Sequence, residues 1–278
     1  MSYRTLKQVI NAQPTSDGDG VKINRIAGGK LARQLDPFLL IDEIRSEDGA
    51  DYIGGFPPHP HRGFETITYM LEGAMRHRDH MGNEGVIEGG DVQWMTAGRG
   101  VIHSEMPEQT DGLLHGFQVW LNLAATEKMQ SARYQEYRDE QLPVLLLTGG
   151  GQLKLIAGSA QLGSEQHSSP ITSGITQANY FDLQLTAGEQ FELPVDAAQT
   201  VLVLVYQGAT SELSSQQLGV YAQGDVLSIS ASNQGARALL LTGTPLAEPI
   251  KQYGPFVMNT SEQIEQAIRD YNNGQLVG

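Results

Sequence analysis

The chain contains no cysteine among its 278 residues. This absence excludes disulfides, thiolate metal sites, cysteine nucleophiles and iron–sulfur clusters. Any bound metal ion must therefore be held by nitrogen and oxygen ligands.

Basic residues are also scarce. The chain has 18 lysines and arginines against 32 aspartates and glutamates, which gives a formal net charge of −14. Phosphate backbones and anionic membrane surfaces repel such a chain, and no stretch of sequence forms a basic cluster. We therefore expect no direct binding to nucleic acid and none to membranes.

Long apolar runs are missing as well. The longest, such as TVLVLVY (200–206), have the length of a strand and are too short to span a bilayer. The first residues, MSYRTLKQVINAQP, lack the apolar core of a signal peptide. These features predict a cytoplasmic protein.

What the sequence does contain is short apolar segments separated by turns. Hydrophobic residues make up 40% of the chain, and its 32 glycines and 12 prolines indicate many turns, so a β-rich protein is expected. The candidate strands of the first half are FLLIDEI (38–44), TITYML (66–71), VIEGGDVQWM (86–95) and GFQVWLNL (116–123).

A change of composition divides the chain near residue 140. Residues 125–143 are polar and charged and resemble a connector, and a second set of strands begins at 144–158. We therefore predict two domains, 1–140 and 141–278.

An internal repeat supports this division. Residues 71–95 align with 206–229, so that Gly73 matches Gly208 and the triplet Gly-Asp-Val at 90–92 matches the same triplet at 224–226. The repeat predicts a duplicated β-unit, and hence two similar antiparallel barrels or sandwiches in tandem.

One helix is predicted, over residues 259–274. Thr260 and Gln263 have the spacing of a capping box, and Asn273-Gly274 would end the helix. Its apolar face would consist of Ile264, Ala267, Ile268 and Tyr271.

The stretch HPHRGFETITYMLEG, which begins at residue 59, contains two histidines two positions apart. Alternate residues of a strand face the same side, so His59 and His61 point together, and Glu65 shares their side if the strand is regular. A second pair, His103 and Glu105, has the same spacing.

About forty residues, or roughly four short strands, separate the two pairs. A closed antiparallel barrel can bring them side by side with both facing its interior. Three imidazoles and one or two carboxylates would pack poorly as a core but would make a good metal site. This ligand set suits Fe, Mn, Ni, Cu or Zn and leaves about two positions of an octahedral ion open for substrate or dioxygen.

The remaining histidines have weaker claims on such a site. His77 and His80 lie in a polar hairpin and are expected to be solvated. His115 or Gln118 could line the mouth of a pocket, although ordinary packing explains His115 equally well. The second half lacks the paired histidines, so one metal site is expected. No G-x-S-x-G elbow, phosphate-binding loop or Rossmann fingerprint competes with it.

HPHRGFETITYMLEG, followed by WMTAGRGVIHSEM and HGFQVWLNL, resembles the pirin family, a branch of the cupin superfamily. DPFLLIDEI (36–44) and GPFVMNT (254–260) fit the same family, and the resemblance covers nearly the whole chain. It implies an all-β fold of two tandem cupin-type antiparallel barrels, a bicupin, with a short C-terminal helix. The metal would lie in the N-terminal barrel.

The resemblance also implies roles for individual residues. The ligands map onto His59, His61, His103 and Glu105. Glu65 stands one residue further from Gly73 than the carboxylate of the usual cupin motif, which suggests a place behind the ligands. Glu105, or Glu65 behind it, would serve as the catalytic base.

Two functions follow from the resemblance. The first is a quercetin 2,3-dioxygenase type of oxidoreductase, which opens a flavonol or another small aromatic enediol with O₂ and releases CO. Its cofactor would be one divalent transition metal, with Fe(II) expected first and Ni, Mn, Cu and Zn as alternatives. The second is an iron-containing, redox-sensitive regulator that binds transcriptional or metabolic partner proteins. The open coordination positions favour the enzyme. The acidic net charge favours it too, because it disfavours a direct role on DNA. A monomer is expected.

Overall fold

A computed structural model describes residues 1–277 of the chain, which form antiparallel sheets and one α-helix. The strands up to residue 137 are Leu6–Asn11 (β1), Gln13–Asp17 (β2), Val21–Ala27 (β3), Phe38–Ser46 (β4), Phe56–His61 (β5), Phe64–Glu72 (β6), Ala74–Asp79 (β7), Glu84–Glu88 (β8), Val92–Thr96 (β9), Val101–Pro107 (β10), Leu114–Asn122 (β11) and Arg133–Tyr137 (β12). The strands from residue 144 onward are Val144–Leu146 (β13), Gln152–Ala157 (β14), Ser159–Leu162 (β15), Glu165–Ser168 (β16), Asn179–Leu185 (β17), Gln190–Pro194 (β18), Thr200–Thr210 (β19), Gln217–Tyr221 (β20), Val226–Gly243 (β21), Lys251–Tyr253 (β22) and Phe256–Met258 (β23). The expected all-β class is confirmed.

The chain forms two compact units. The first unit comprises residues 13–34, 38–139 and 246–277, and the second comprises residues 1–12, 35–37 and 140–245. The predicted division was 1–140 and 141–278. In the structure, residues 1–12 group with the second unit and residues 246–277 group with the first. Strand pairing is the reason, since β1 pairs with β20 and the segment after residue 245 packs on the strands of the first unit.

The first unit contains two main sheets. One has the order β12-β9-β6-β11-β4-β3-β2, and the other has the order β5-β10-β7-β8. Between them lies an apolar core of buried side chains from several strands: Val21, Ile23, Ile44, Tyr52, Met70, Met75, Ile87 and Leu114. The second unit has the sheet β1-β20-β19-β21-β17-β14-β13, with β18 paired to β21.

Two predicted segments differ from the structure. The candidate strand 86–95 breaks at Gly89-Gly90, where the φ of Gly90 is +93°, so that β8 and β9 join different sheets. The glycines let the chain turn from one sheet to the other. The connector 125–143 contains β12, which pairs with β9 despite its polar sequence.

The repeat has matching structural positions in the two units. Gly73 and Gly208 both have positive φ, at +80° and +69°. Asp91 immediately precedes β9, and Asp225 immediately precedes β21. A glycine with positive φ and an aspartate directly before a strand therefore recur in both units, although Gly73 lies between two strands and Gly208 within β19.

The predicted helix is present as Ser261–Asn272 (α1). Its capping box is confirmed, because the Gln263 amide donates to the Thr260 hydroxyl and the Thr260 amide donates to the Gln263 side chain. Ile264 and Ala267 are buried against β23, whereas Tyr271 is 40% exposed. Within residues 1–277, no helix combines the length and apolarity needed to cross a membrane.

The segment after residue 245 is tied to the backbone that follows β5. The Arg62 amide donates to the Pro255 carbonyl, and the Val257 amide donates to the Arg62 carbonyl. The buried Lys128 ammonium donates to the carbonyls of Gly63 and Val257 at 2.7 and 3.1 Å. These bonds hold the end of β5 in place.

Gly63 allows this close approach. Its φ is +90°, and a Cβ there would collide with the Val257 carbonyl. Gly20 offers a matched control, because its φ is +82° and no described atom lies within 4 Å of an added Cβ. We predict that Gly20→Ala lowers the free energy of unfolding by about 1–2 kcal/mol, through backbone strain alone. Gly63→Ala should cost about 2 kcal/mol further because of the collision.

Denaturant unfolding of the two variants measures this difference. Equal losses of unfolding free energy in the two variants would show that the Val257 carbonyl moves away from the added Cβ without an energetic cost.

Candidate metal centre

Two neighbouring strands of the first unit place the paired histidines together. β5 and β10 are antiparallel, with His59 directly opposite His103 and His61 opposite Val101. His59 and His61 share a face of β5 because strand side chains alternate. The predicted approach of the two histidine-bearing segments is therefore present.

The three imidazoles converge. One ring nitrogen from each of His59, His61 and His103 lies within 4.8 Å of the other two. The Nε2 atoms of His59 and His61 are 3.0 Å apart, and the ring centroids of His59 and His103 are 4.4 Å apart. The Pro57 carbonyl lies 2.8 Å from Nδ1 of His59. A proton on that Nδ1 leaves the Nε2 lone pair facing the cluster.

Burial keeps the inner two imidazoles neutral. It lowers the pKa of His61 and of His103 well below the ordinary value, and the neighbouring imidazoles act in the same direction. The Pro255 carbonyl opposes this lowering at His61 without reversing it. Neutral imidazoles keep the lone pairs that metal coordination requires.

One atom of the cluster points directly to a ligand. Nε2 of His103 is buried and has no hydrogen-bond partner among residues 1–277. An unsatisfied buried polar atom costs about 1–3 kcal/mol, and coordination to a metal ion would remove that cost. The donor set therefore fits a divalent transition metal.

Glu105 lies beside this cluster. A register shift follows His103, so that Glu105 stands opposite Phe56. Its carboxylate accepts from the Gln118 amide at 3.0 Å and from the Thr68 hydroxyl at 3.3 Å. Glu105 lines the same cavity as His59 and His61, although its oxygens are outside the group of mutually close nitrogens.

The structure places Glu65 elsewhere. Because Gly63 has positive φ, the strand is not regular between His61 and Glu65, and the alternation that would align their side chains is lost. Glu65 is buried in β6 and accepts from the Thr96 hydroxyl at 2.6 Å. Burial raises the pKa of this carboxyl, and the Thr96 hydrogen bond opposes that rise. Glu65 does not line the cavity.

The expectation that His77 is solvated is wrong. His77 is 3% exposed, and its Nδ1 lies 3.3 Å from Nδ1 of His103. The sequence carried a signal for this, since Met75, His77 and Asp79 alternate along β7 and all three are buried. His80 is exposed, as expected.

Ordinary packing accounts for His115, whereas Gln118 belongs to the site. His115 is buried, and its Nε2 lies 2.8 Å from a carboxylate oxygen of Glu43. Gln118 lines the cavity beside Glu105, and its side-chain oxygen accepts from the Trp120 indole at 3.0 Å. The chain Trp120–Gln118–Glu105 thus runs along one wall.

The cavity has a volume of about 1070 Å³. Its apolar lining residues are Ile23, Leu40, Phe56, Trp120 and Ile250, and His59 and His61 of the cluster also line it. The Trp120 ring packs against Phe64 with the centroids 4.3 Å apart, which holds the ring in place. A cavity of this size is at the upper end of the range for sites that bind small organic molecules.

Comparison with known proteins agrees with this architecture. Residues 20–121 match the family described as Pirin, and residues 180–277 match the family described as Pirin C-terminal cupin domain.

Individual relatives match over the full length. The chain is 45% identical to a Pseudomonas aeruginosa protein named "Putative quercetin 2,3-dioxygenase", covering 99% of this chain and 98% of that protein. It is also 45% identical to a "Pirin-like protein" of Caulobacter vibrioides, covering 99% and 100%. The crystal structure of a quercetin 2,3-dioxygenase from Acinetobacter baumannii superposes with a TM-score of 0.90 at 33% identity, covering 99% of both chains. The chain therefore belongs to the pirin family and consists of two cupin domains.

Proposed function

We propose that the protein is a metal-dependent dioxygenase that opens a flavonol such as quercetin with O₂ and releases CO. The observation that carries this proposal is the convergence of three imidazoles, two of which line a cavity large enough for an aromatic ligand. The names of the Pseudomonas and Acinetobacter relatives support the same reaction.

His59, His61 and His103 would hold the metal, with Glu105 as the fourth ligand. Fe(II) is the first candidate, and Ni, Mn, Cu and Zn suit the same donors. A bound ion would act as a Lewis acid toward a hydroxyl of the substrate. The three nitrogens would contribute no charge, so the single carboxylate sets the charge of the site.

Glu105 would also take the proton of that substrate hydroxyl. Gln118 and Thr68 fix the orientation of its carboxylate, and Trp120 in turn fixes Gln118. A base held in this way needs no reorganisation when the proton moves. The Trp120 and Phe56 rings would pack against the substrate ring and exclude water from it.

His77 would act through His103. With a proton on Nδ1 of His103 donated to Nδ1 of His77, the lone pair of His103 Nε2 is left free for the metal. A partner on the outer nitrogen of this kind fixes both the tautomer and the ring orientation of a metal ligand.

The first prediction from this proposal concerns the partner of His103. His77→Ala should lower metal affinity about 10- to 100-fold, because His103 loses its fixed tautomer. His167→Ala, which removes a histidine of β16 in the second unit, should leave metal affinity unchanged. Competition with a chromophoric chelator measures both affinities. Equal affinities for the two variants would remove the positioning role of His77.

The second prediction distinguishes the two carboxylates. Glu105→Gln should lower kcat at least about 100-fold, because it removes the base at the cavity wall. Glu65→Gln keeps an acceptor for Thr96 and should change kcat less than about threefold. Metal content is determined for each variant, so that loss of a ligand is separated from loss of a base. A large loss of kcat in Glu65→Gln, with kcat retained in Glu105→Gln, would assign the role of base to Glu65.

The third prediction tests the activity itself. Protein purified without oxygen and loaded separately with Fe(II), Ni(II) or Mn(II) should consume O₂ and release CO when quercetin is added. The double variant His59→Ala/His103→Ala should do neither. A fully metal-loaded wild type that consumes no O₂ would contradict the proposal. Comparison of the proteins captured by its reduced, oxidised and metal-free forms would then test the regulatory alternative.

A further inference from the structure

Two exposed basic side chains line the cavity, although the chain as a whole is acidic. Lys30 and Arg33 both line the cavity and are both exposed. Neither side chain has a hydrogen bond or an ion pair with any residue in the described range 1–277. What distinguishes them from other exposed cations without a partner in that range, such as Lys7 and Arg45, is their place in the cavity wall.

A short 3₁₀ turn and the residues just after it carry the two cations. The turn spans Gly29–Leu31, and the Ala32 amide donates to the Gly29 carbonyl at 3.2 Å. Lys30 lies in this turn and Arg33 directly follows its C-cap Ala32, and both residues line the same cavity. Ala32 is buried in a cluster with Leu39, Phe64 and Val257, so the turn is anchored to the core.

The acidic side chains of the cavity are already engaged. Arg25 donates to both carboxylate oxygens of Asp42, at 2.9 and 2.7 Å, and also to Asp17 at 2.9 Å. Glu105 is bonded to Gln118 and Thr68 at the histidine end. Each acid therefore has a partner, whereas the two cations of the turn have none.

The cavity has space for a ligand that meets both groups. Its volume of about 1070 Å³ is at the upper end for small-molecule sites, so an aromatic ring at the histidines leaves room for a substituent near the turn. Unpaired cations at the wall of a cleft attract and orient an oxyanion. Arg33 can bind a carboxylate with two parallel hydrogen bonds, and Lys30 adds a point charge.

We propose that the substrate is an aromatic enediol or catechol that carries a carboxylate, and that Lys30 and Arg33 bind this carboxylate. The proposal rests on the proposed function for the enediol end of the ligand and adds the acidic substituent to it. Quercetin would then be a surrogate that uses only the histidine end of the cavity.

Binding to the metal-loaded protein tests this without requiring turnover. The probes are 3,4-dihydroxybenzoate and its methyl ester, which differ only in the carboxylate, and isothermal titration calorimetry gives both dissociation constants. The acid should bind about five- to tenfold more tightly than the ester, the range expected for two exposed charges acting together. The preference should shrink between 50 and 500 mM salt, because screening shortens the reach of exposed charges.

Matched variants locate the effect. Lys30→Gln/Arg33→Gln should abolish the preference for the acid and leave the affinity for the ester unchanged. Lys7→Gln/Arg45→Gln removes the same charge from exposed cations that do not line the cavity, and it should retain the preference.

Four outcomes would overturn the inference: no binding of the acid, equal binding of acid and ester, loss of the preference in both double variants, or its persistence in Lys30→Gln/Arg33→Gln. If quercetin is turned over while acid and ester bind equally, the substrate class fails and the dioxygenase stands. If quercetin is not turned over while the acid preference depends on Lys30 and Arg33, the anion subsite stands and the dioxygenase fails.

Discussion

The antiparallel register of β5 and β10 is the constraint on which the metal centre depends. It sets His59 opposite His103, and a shift of one residue would turn the side chains of one strand to the other face. Neighbours on both sides fix this register. β7 pairs with the far edge of β10, and the hydrogen bonds of Arg62 with Pro255 and Val257 hold the chain just after β5. The segment after residue 245 is therefore part of the metal centre's support, although it provides none of the three clustered nitrogens.

Local patterns in the sequence predicted those parts that depend on local geometry. Alternation placed His59 and His61 on one face, and the spacing of Thr260 and Gln263 predicted the start of α1. The same alternation failed for Glu65, because Gly63 interrupts the strand with a positive φ. A period of two holds only while the strand is regular, and a glycine can end it without changing the apolar pattern.

Features that depend on pairing between distant segments could not be predicted in this way. The grouping of residues 1–12 with the second unit follows from the pairing of β1 with β20, which no local pattern encodes. The contact of His77 with His103 requires β7 to lie beside β10. The polar sequence of that hairpin indicated that His77 is exposed to solvent. Only its alternation with Met75 indicated that it is buried. Charged neighbours such as Arg76 and Arg78 lie on the opposite, outer side of the strand.

The charges of the cavity, rather than the net charge of the chain, decide which ligand it favours. Three neutral imidazoles and one carboxylate would leave a divalent ion with one positive charge, which favours an anionic group at that end. Lys30 and Arg33 add positive charge at the wall, whereas Asp17 and Asp42 are already bonded to Arg25. The net charge of −14 repels polyanions at long range, whereas in our proposal Lys30 and Arg33 would attract a small anion at short range. Salt screens the repulsion by distant acidic residues more than the attraction by nearby cations. A protein that is acidic as a whole would therefore still be able to select an acidic substrate.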